Sequence, residues 1–328
     1  MTVFSKIRGF FSRHRNKFIV GGIIFTGSIL LTKYAQQRLK EWQERETREF
    51  FDRNRKQNHF ESIGRTCNQT ILNLSAALVE VIFKTVNTDE IIENLKMNPE
   101  NKLEMWNNLK ISVFCKSGVM IYSTVMLVVT LKIQLSIIGG YLYKDPNSVS
   151  TEMQEKYLSL CQRFLNLGIP KLSKLMENEV KKTVDSIDLK KQLKLSDVEA
   201  IYWSIQTALA TNNENPIDQF RSYIFYEDVP NSSDIYNILQ VTADFLDSDE
   251  VKSLTTHCVN RGFILLGDQI AEFFTQNGLA PPSSMNDFVN PFEVKKPLAK
   301  LLPIINGLLS KQSLPQNLVQ QLIAKRKT

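Results

Sequence analysis

Residues 119–143 read VMIYSTVMLVVTLKIQLSIIGGYLY, an almost unbroken apolar run. Two structures can hold such a run: a helix crossing a membrane, or a central helix enclosed by other helices. Lys132 and Gln134 interrupt it, and a charge at mid-bilayer costs about 2.5–3.5 kcal/mol. A bundle helix surrounded on every side is apolar all round. The run is therefore expected to be a buried core helix, and that requires other amphipathic helices to cover it. A chain of 328 residues has room for them. Strand-type alternation is scarce and apolar spacing of three and four is common, so the expected fold class is all-α, a long-helix bundle.

The covering helices can be read in order. Ile71, Leu74, Leu78, Val81 and Ile82 share one face. Asn87 with Glu90 is a capping pair opening a short helix through Leu95, and Pro99 ends it. A new helix begins near Glu100. Asp145-Pro146-Asn147-Ser148 is a break. Helices follow over 151–166 and 171–187, parted by Gly168 and Pro170. Ser196 with Glu199 reads as a capping box for a helix through about Ala210. Loops are expected at Asn212–Pro216 and Asp228–Ser233, with helices near 234–246 and 250–276. Gly278–Phe292 reads as irregular. A last helical region covers about 298–325, interrupted at Pro303, Gly307 and Pro315.

The N-terminus has a different character. Residues 1–17 carry Lys6, Arg8, Arg13, Arg15 and Lys17 and no acid. Residues 18–31, FIVGGIIFTGSILL, carry no charge. A cleaved signal peptide would need a small-residue cleavage site, which Thr32-Lys33-Tyr34 does not offer. A mitochondrial presequence matches the Arg-rich, acid-poor arm but does not lead into so apolar a run. The expected reading is an uncleaved anchor, with Phe18, Ile19, Val20, Ile23, Ile24, Phe25, Ile29, Leu30 and Leu31 in lipid. The run is shorter than the roughly 20 residues of a comfortable span, and snorkelling of Lys17 and Lys33 extends it. Lys and Arg flank both sides, so charge does not orient it. Residues 33–58 form a charged helical stalk, with Glu41–Arg45, Glu44–Arg48, Glu49–Arg53 and Asp52–Lys56 as i,i+4 pairs. The expected organisation is a basic arm at 1–17, an anchor at 18–32, a stalk at 33–58 and a helical body at 59–328.

Charge narrows the function classes. The net charge is +6, yet the first 65 residues carry +8, leaving about −2 for residues 66–328. Nucleic-acid binding by the body has no electrostatic support. Phosphate-loop, dinucleotide, serine-hydrolase and zinc-protease motifs are absent from the sequence. His14, His59 and His257 are the histidines. His257 adjoins Cys258, but nothing completes a thiol-protease pattern. Cys67, Cys115, Cys161 and Cys258 stand too far apart for metal or redox spacing and read as free thiols. No catalytic residue, metal site or cofactor is expected. One segment reads as a binding surface. In NKLEMWNNLKISVF (101–114), Leu103, Trp106, Leu109 and Val113 form a helical stripe bordered by Lys102 and Lys110. Such a tryptophan either anchors a partner helix or packs in the core.

Several runs resemble the peroxin-3 family in order and spacing: His59-Phe60-Glu61-Ser62 with Arg65-Thr66-Cys67-Asn68, Asn101-Lys102-Leu103-Glu104, Trp106 with Leu109-Lys110, Tyr122-Ser123-Thr124, Met126-Leu127-Val128-Val129, and Gln134-Leu135 with Ile137-Ile138-Gly139-Gly140-Tyr141. Pro297-Leu298-Ala299-Lys300 with Pro303-Ile304 and Asn306-Gly307 adds a weaker likeness near the C-terminus. The resemblance implies a peroxisomal membrane protein with one N-terminal span and a cytosolic helical body, with transit through the endoplasmic reticulum as one route. It implies docking of an N-terminal helix of peroxin-19, the chaperone for peroxisomal membrane proteins, on a groove that maps to Leu95, Lys102, Leu103, Trp106 and Leu109. It implies an exposed Trp106, with Lys102 at the rim. Membrane lipid is the other expected partner, with no nucleic acid and no small-molecule substrate. The alternative reading is a general organelle-surface tether recruiting other cytosolic factors. Family members usually continue with a further amphipathic helix where this chain ends at Ala324-Lys325-Arg326-Lys327-Thr328, so core surface near 298–325 is expected to be exposed if that helix is missing.

Overall fold

The structure is a computed structural model that describes residues 3–97, 99–225, 235–275, 293–310 and 313–324. The side chains of the expected anchor, Phe18 to Leu31, lie outside the described residues, as do the expected loop at 228–233 and the irregular stretch at 278–292. The chain divides into two units, one ending at Phe60 and one from Glu61 to Thr328. Helix α1, Val3–Thr85, makes up the first and opens the second.

In the first unit the charged segment is helical as expected. At one of the expected pairs, Glu49 with Arg53, the Arg53 Nε–H donates to the backbone carbonyl of Glu49 at 3.4 Å. Exposed side chains gain little from being held in one geometry.

The second unit is built around α3, Lys102–Lys144. Among the described residues, the helices packed against it include α2 (Thr88–Lys96), α4 (Thr151–Arg163), α5 (Ile169–Val184), α8 (Tyr236–Asp247), α9 (Asp249–Thr275), α10 (Leu298–Ser310) and α11 (Ser313–Ile323). Helix α3 is long and apolar enough to cross a membrane, but 78% of its most apolar stretch is buried inside the protein. It is the core helix expected from the sequence. Gln134 is buried because its amide has partners: Nε2 donates to the Tyr157 carbonyl at 2.6 Å, and Oε1 accepts from Cys161 Sγ at 3.0 Å. Lys132 reaches the surface. An aromatic cluster fills the flank toward α6 (Leu195–Ala210) and α9, with Phe114 and Tyr202 ring centroids 5.2 Å apart. Among its described residues the second unit is all-α apart from one short antiparallel pair, β1 (Gln192–Leu193) with β2 (Lys296–Pro297), which ties the entry to α6 to the start of α10.

Three boundaries differ from expectation. Gly168 and Pro170 do not separate two helices. The helix continues through a π turn, Phe164–Gly168, in which the Ile169 N–H donates to the Phe164 carbonyl five residues back. Pro170 sits in the first turn of α5. It lacks an N–H, and an added π residue lets a helix absorb the missing donor. Gly168 is required here, because a Cβ would lie 2.6 Å from the carbonyl oxygen of Tyr223, in the short helix α7 (Phe220–Ile224). Second, α6 starts one residue before Ser196. The Lys194 N–H donates to Asp197 Oδ2 at 2.7 Å, so Asp197 supplies the reciprocal cap and Ser196 lies within the helix. Third, Pro303 lies inside α10 without ending it. Helices α10 and α11 bury Leu301, Leu302, Ile305, Leu314 and Leu318 against α3 and α9. The core near 298–324 is covered rather than exposed.

Candidate functional site

The expected binding residues lie where α2 gives way to α3. Asn87 begins α2: its Oδ1 accepts the Glu90 N–H at 3.2 Å, and its Nδ2 donates to the Glu90 carboxylate at 3.1 Å. This is the expected capping pair. The axis bends 47° between α1 and α2. Met97 closes α2, with its N–H donating to the Asn94 and Leu95 carbonyls. Five residues later α3 begins, and α2 packs on it.

Along α3 the stripe descends from solvent into the core. Leu103 is 71% exposed, Trp106 is half-buried against the core, Leu109 is 2% exposed, and Val113 is sealed. At 1.5 Å per residue this descent takes about 15 Å. Leu95 is half-buried and Lys102 is exposed. Trp106 thus combines the two readings left open by its spacing: one part of the indole packs on the core and the rest stays accessible. Leu109 belongs to the core rather than standing at the surface. Met97, absent from the expected set, is 80% exposed and belongs to the same stretch of surface by position. Its signal in the sequence is an apolar side chain stranded between Lys96 and Pro99.

Lys110 does not border the stripe at a rim. It is buried, and its Nζ donates to the backbone carbonyls of Ile187 at 2.8 Å and Asp185 at 3.3 Å, beyond the C-terminus of α5. A cation there satisfies carbonyls that have no helical partner and opposes the helix dipole. Burial holds its ammonium below the ordinary lysine value, while Asp185 and Asp188 act against that shift.

A second buried lysine, absent from the sequence reading, pins α2 from below. Lys116 Nζ donates to Thr88 Oγ1 at 2.9 Å and lies 3.5 Å from the centroid of the Phe83 ring. Thr88 Oγ1 in turn donates to Asn306 Oδ1 of α10 at 2.8 Å. Burial lowers the Lys116 pKa to about 8, with Asp89 opposing. The first residue of α2 is therefore fixed to both α3 and α10. The only hint in the sequence is a lysine inside an otherwise apolar stretch.

No metal-binding group of three or more His, Cys, Asp or Glu side chains occurs among the described residues. Cys67, Cys115, Cys161 and Cys258 are free thiols. Burial pushes the Cys258 thiol up, away from the thiolate form, and neighbouring His257 is exposed.

The chain matches the Peroxin-3 family over residues 9–102, 96–145 and 140–322. It is 36% identical to the rat protein Peroxisomal biogenesis factor 3 over 344 aligned residues, covering 96% of this chain and 92% of that one. The human protein of the same name is 34% identical over 345, with the same coverage. Peroxisome biogenesis protein 3-1 of Arabidopsis thaliana is 26% identical over 217, covering 58% of this chain and 60% of its own length. The all-helical fold and these relatives define a class: peroxisome biogenesis factors, which are membrane proteins and not enzymes. Within that class, the chain belongs to the Peroxin-3 family.

Proposed function

We propose that this protein is a docking receptor at the peroxisomal membrane, and that it binds an amphipathic helix of the chaperone peroxin-19 at the junction of α2 and α3. The supporting observation is the half-buried Trp106 below the exposed Leu103. The indole is held in place by the core, so little side-chain entropy remains to be lost on binding. A partner helix would lay its apolar face on Leu95, Leu103 and Trp106, above Leu109. Lys102 would sit at the rim, where a charge affects association rate and salt dependence more than affinity. The N-terminal run 18–32 would anchor the chain, with the body facing the cytosol. Anchor side chains in lipid and an exposed docking edge are what such a receptor needs to hand membrane proteins to a bilayer.

The test is a titration of the full chain with a fluorescent peptide from the N-terminal helix of peroxin-19. Trp106→Ala should weaken binding by about 2–4 kcal/mol, as truncation of a central aromatic anchor does. Leu103→Asp should do the same without disturbing the core, since Leu103 is solvent-facing. Equal affinity for wild type and both variants would remove this surface from the function.

A further inference from the structure

A second furrow runs between α6 and α9, on elements that contribute nothing to the α2–α3 surface. On α6 it is lined at 195, 198, 199, 202, 203, 206, 207 and 210, and on α9 at 256, 259, 260, 263, 264, 267, 268 and 270. Both sets follow the three-and-four spacing of a single helical stripe. The furrow therefore runs the length of α6, about 20 Å at 1.5 Å per residue. It encloses about 550 Å³. Its floor is aromatic: the Phe263 ring centroid is 5.6 Å from that of Tyr202 and 6.2 Å from that of Tyr122. Trp203 on one wall is 67% exposed, and Ile264 on the other is 55% exposed.

The charge on this lining has one sign. Glu199 and Asp268 are its ionisable carboxylates, and it contains no Lys, Arg or His. Among the described residues neither carboxylate makes a hydrogen bond or an ion pair. Glu199 leans across the furrow, with Oε1 3.8 Å from where a Cβ on Gly267 would stand. Length, apolar floor and acidic edges together select the occupant. We propose that the furrow is a second docking site, and that it takes a basic amphipathic helix of a partner protein. The partner's apolar face lies between Trp203 and Ile264, and its Lys or Arg side chains stand beside Glu199 and Asp268. A fatty acid or an acidic phospholipid would bring an anionic head to an acidic mouth. A second copy of the body is a poor occupant, because residues 66–328 carry about −2 themselves.

The experiment uses the full chain in phosphatidylcholine nanodiscs, with empty nanodiscs as blank. The probe is a labelled fifteen-residue helical peptide of Leu on one face and Lys on the other, and a counterpart with Glu replacing Lys. The Lys peptide should bind and the Glu peptide should not. Gly267→Leu should lower affinity roughly tenfold or more by filling the furrow. No other atom lies within 4 Å of that Cβ position, and Leu is a better helix former than Gly, so the fold is retained. Glu199→Lys with Asp268→Lys should reverse the preference in favour of the Glu peptide. Trp106→Ala should change nothing. The proposal is overturned if Gly267→Leu and the double reversal both bind the Lys peptide as wild type does. Loss of binding in Trp106→Ala also overturns it, because the peptide then sits on the first surface. So does displacement of the peptide by lysophosphatidylcholine that the double reversal leaves unaltered, which would mark a lipid site.

Discussion

Lys116 shows how one side chain can govern an element far from it in sequence. A buried ammonium is held away from water by α1, α2, α3 and α10, and its pKa falls to about 8 from the ordinary 10.5. Below about pH 8 both folded and unfolded chains carry the charge, and the folded chain bears the full desolvation penalty. Between about 8 and 10.5 the unfolded chain binds more protons, so the contribution of this residue to stability rises with pH across that window. Above it both forms are neutral and the penalty is gone. The buried thiols Cys115 and Cys161, pushed up to about 12, act in the opposite direction as pH passes their ordinary value. The useful quantity is therefore the difference between wild type and Lys116→Met. Urea unfolding should show wild type gaining about 1–3 kcal/mol on the variant from pH 7.5 to 10.5, once solvent screening is allowed for. Parallel curves would mean that the ammonium is hydrated in the folded protein. None of this was visible in the sequence, because the partners Thr88 and Asn306 are brought together only by the fold. Lys110 failed the reading for the same reason: its spacing placed it beside Trp106, while the carbonyls it satisfies belong to residues 185 and 187.

Elements were legible where their signals are local. The Asn87–Glu90 pair opens α2 because both of its hydrogen bonds close within four residues. At α6 two start signals overlap, the Asp197 carboxylate accepting the Lys194 N–H and the Ser196–Glu199 box, and the short β1–β2 pairing decides between them by delivering the chain to residue 194. The pair Gly168 and Pro170 misled, because in isolation they end helices, whereas here they accommodate α7. Substituting alanine separates the two roles of glycine. Gly168→Ala forces a methyl against the Tyr223 carbonyl and should destabilise by about 1–3 kcal/mol. Gly64→Ala, in α1 with nothing within 4 Å of the new methyl, should stabilise by about 0.5–1 kcal/mol. Thermal and urea unfolding of the two variants checks both signs. A neutral Gly168→Ala would mean that α7 can move aside.

On the scale of the whole molecule, the sequence carried two kinds of information. The enclosure of α3 was readable because a run with a charge at its middle is costly in lipid and harmless when the lysine can turn outward, as Lys132 does. The candidate surface was readable only in part. The spacing of Leu103, Trp106 and Leu109 defines a stripe, but how deep each residue sits depends on where α2 and α5 cover it. The charge is split along the chain: +8 in the first 65 residues, and about −2 in the remainder. A basic, apolar leading segment followed by a near-neutral body suits a protein whose beginning holds a membrane and whose remainder meets other proteins. If that division holds, location is encoded without the body. Residues 1–45 fused to a fluorescent protein should reach peroxisomes, and residues 46–328 fused in the same way should stay diffuse. Replacing Ile23, Ile24 and Ile29 by Asp in the full chain should release it from membranes, since each buried carboxylate costs about 2.5–3.5 kcal/mol on insertion scales. The released protein should still bind the peroxin-19 peptide, because the proposed docking residues lie at 95–109, in the second unit. A diffuse 1–45 fusion would place the membrane address in the body, and loss of peptide binding in the triple variant would show that anchoring and docking are one property.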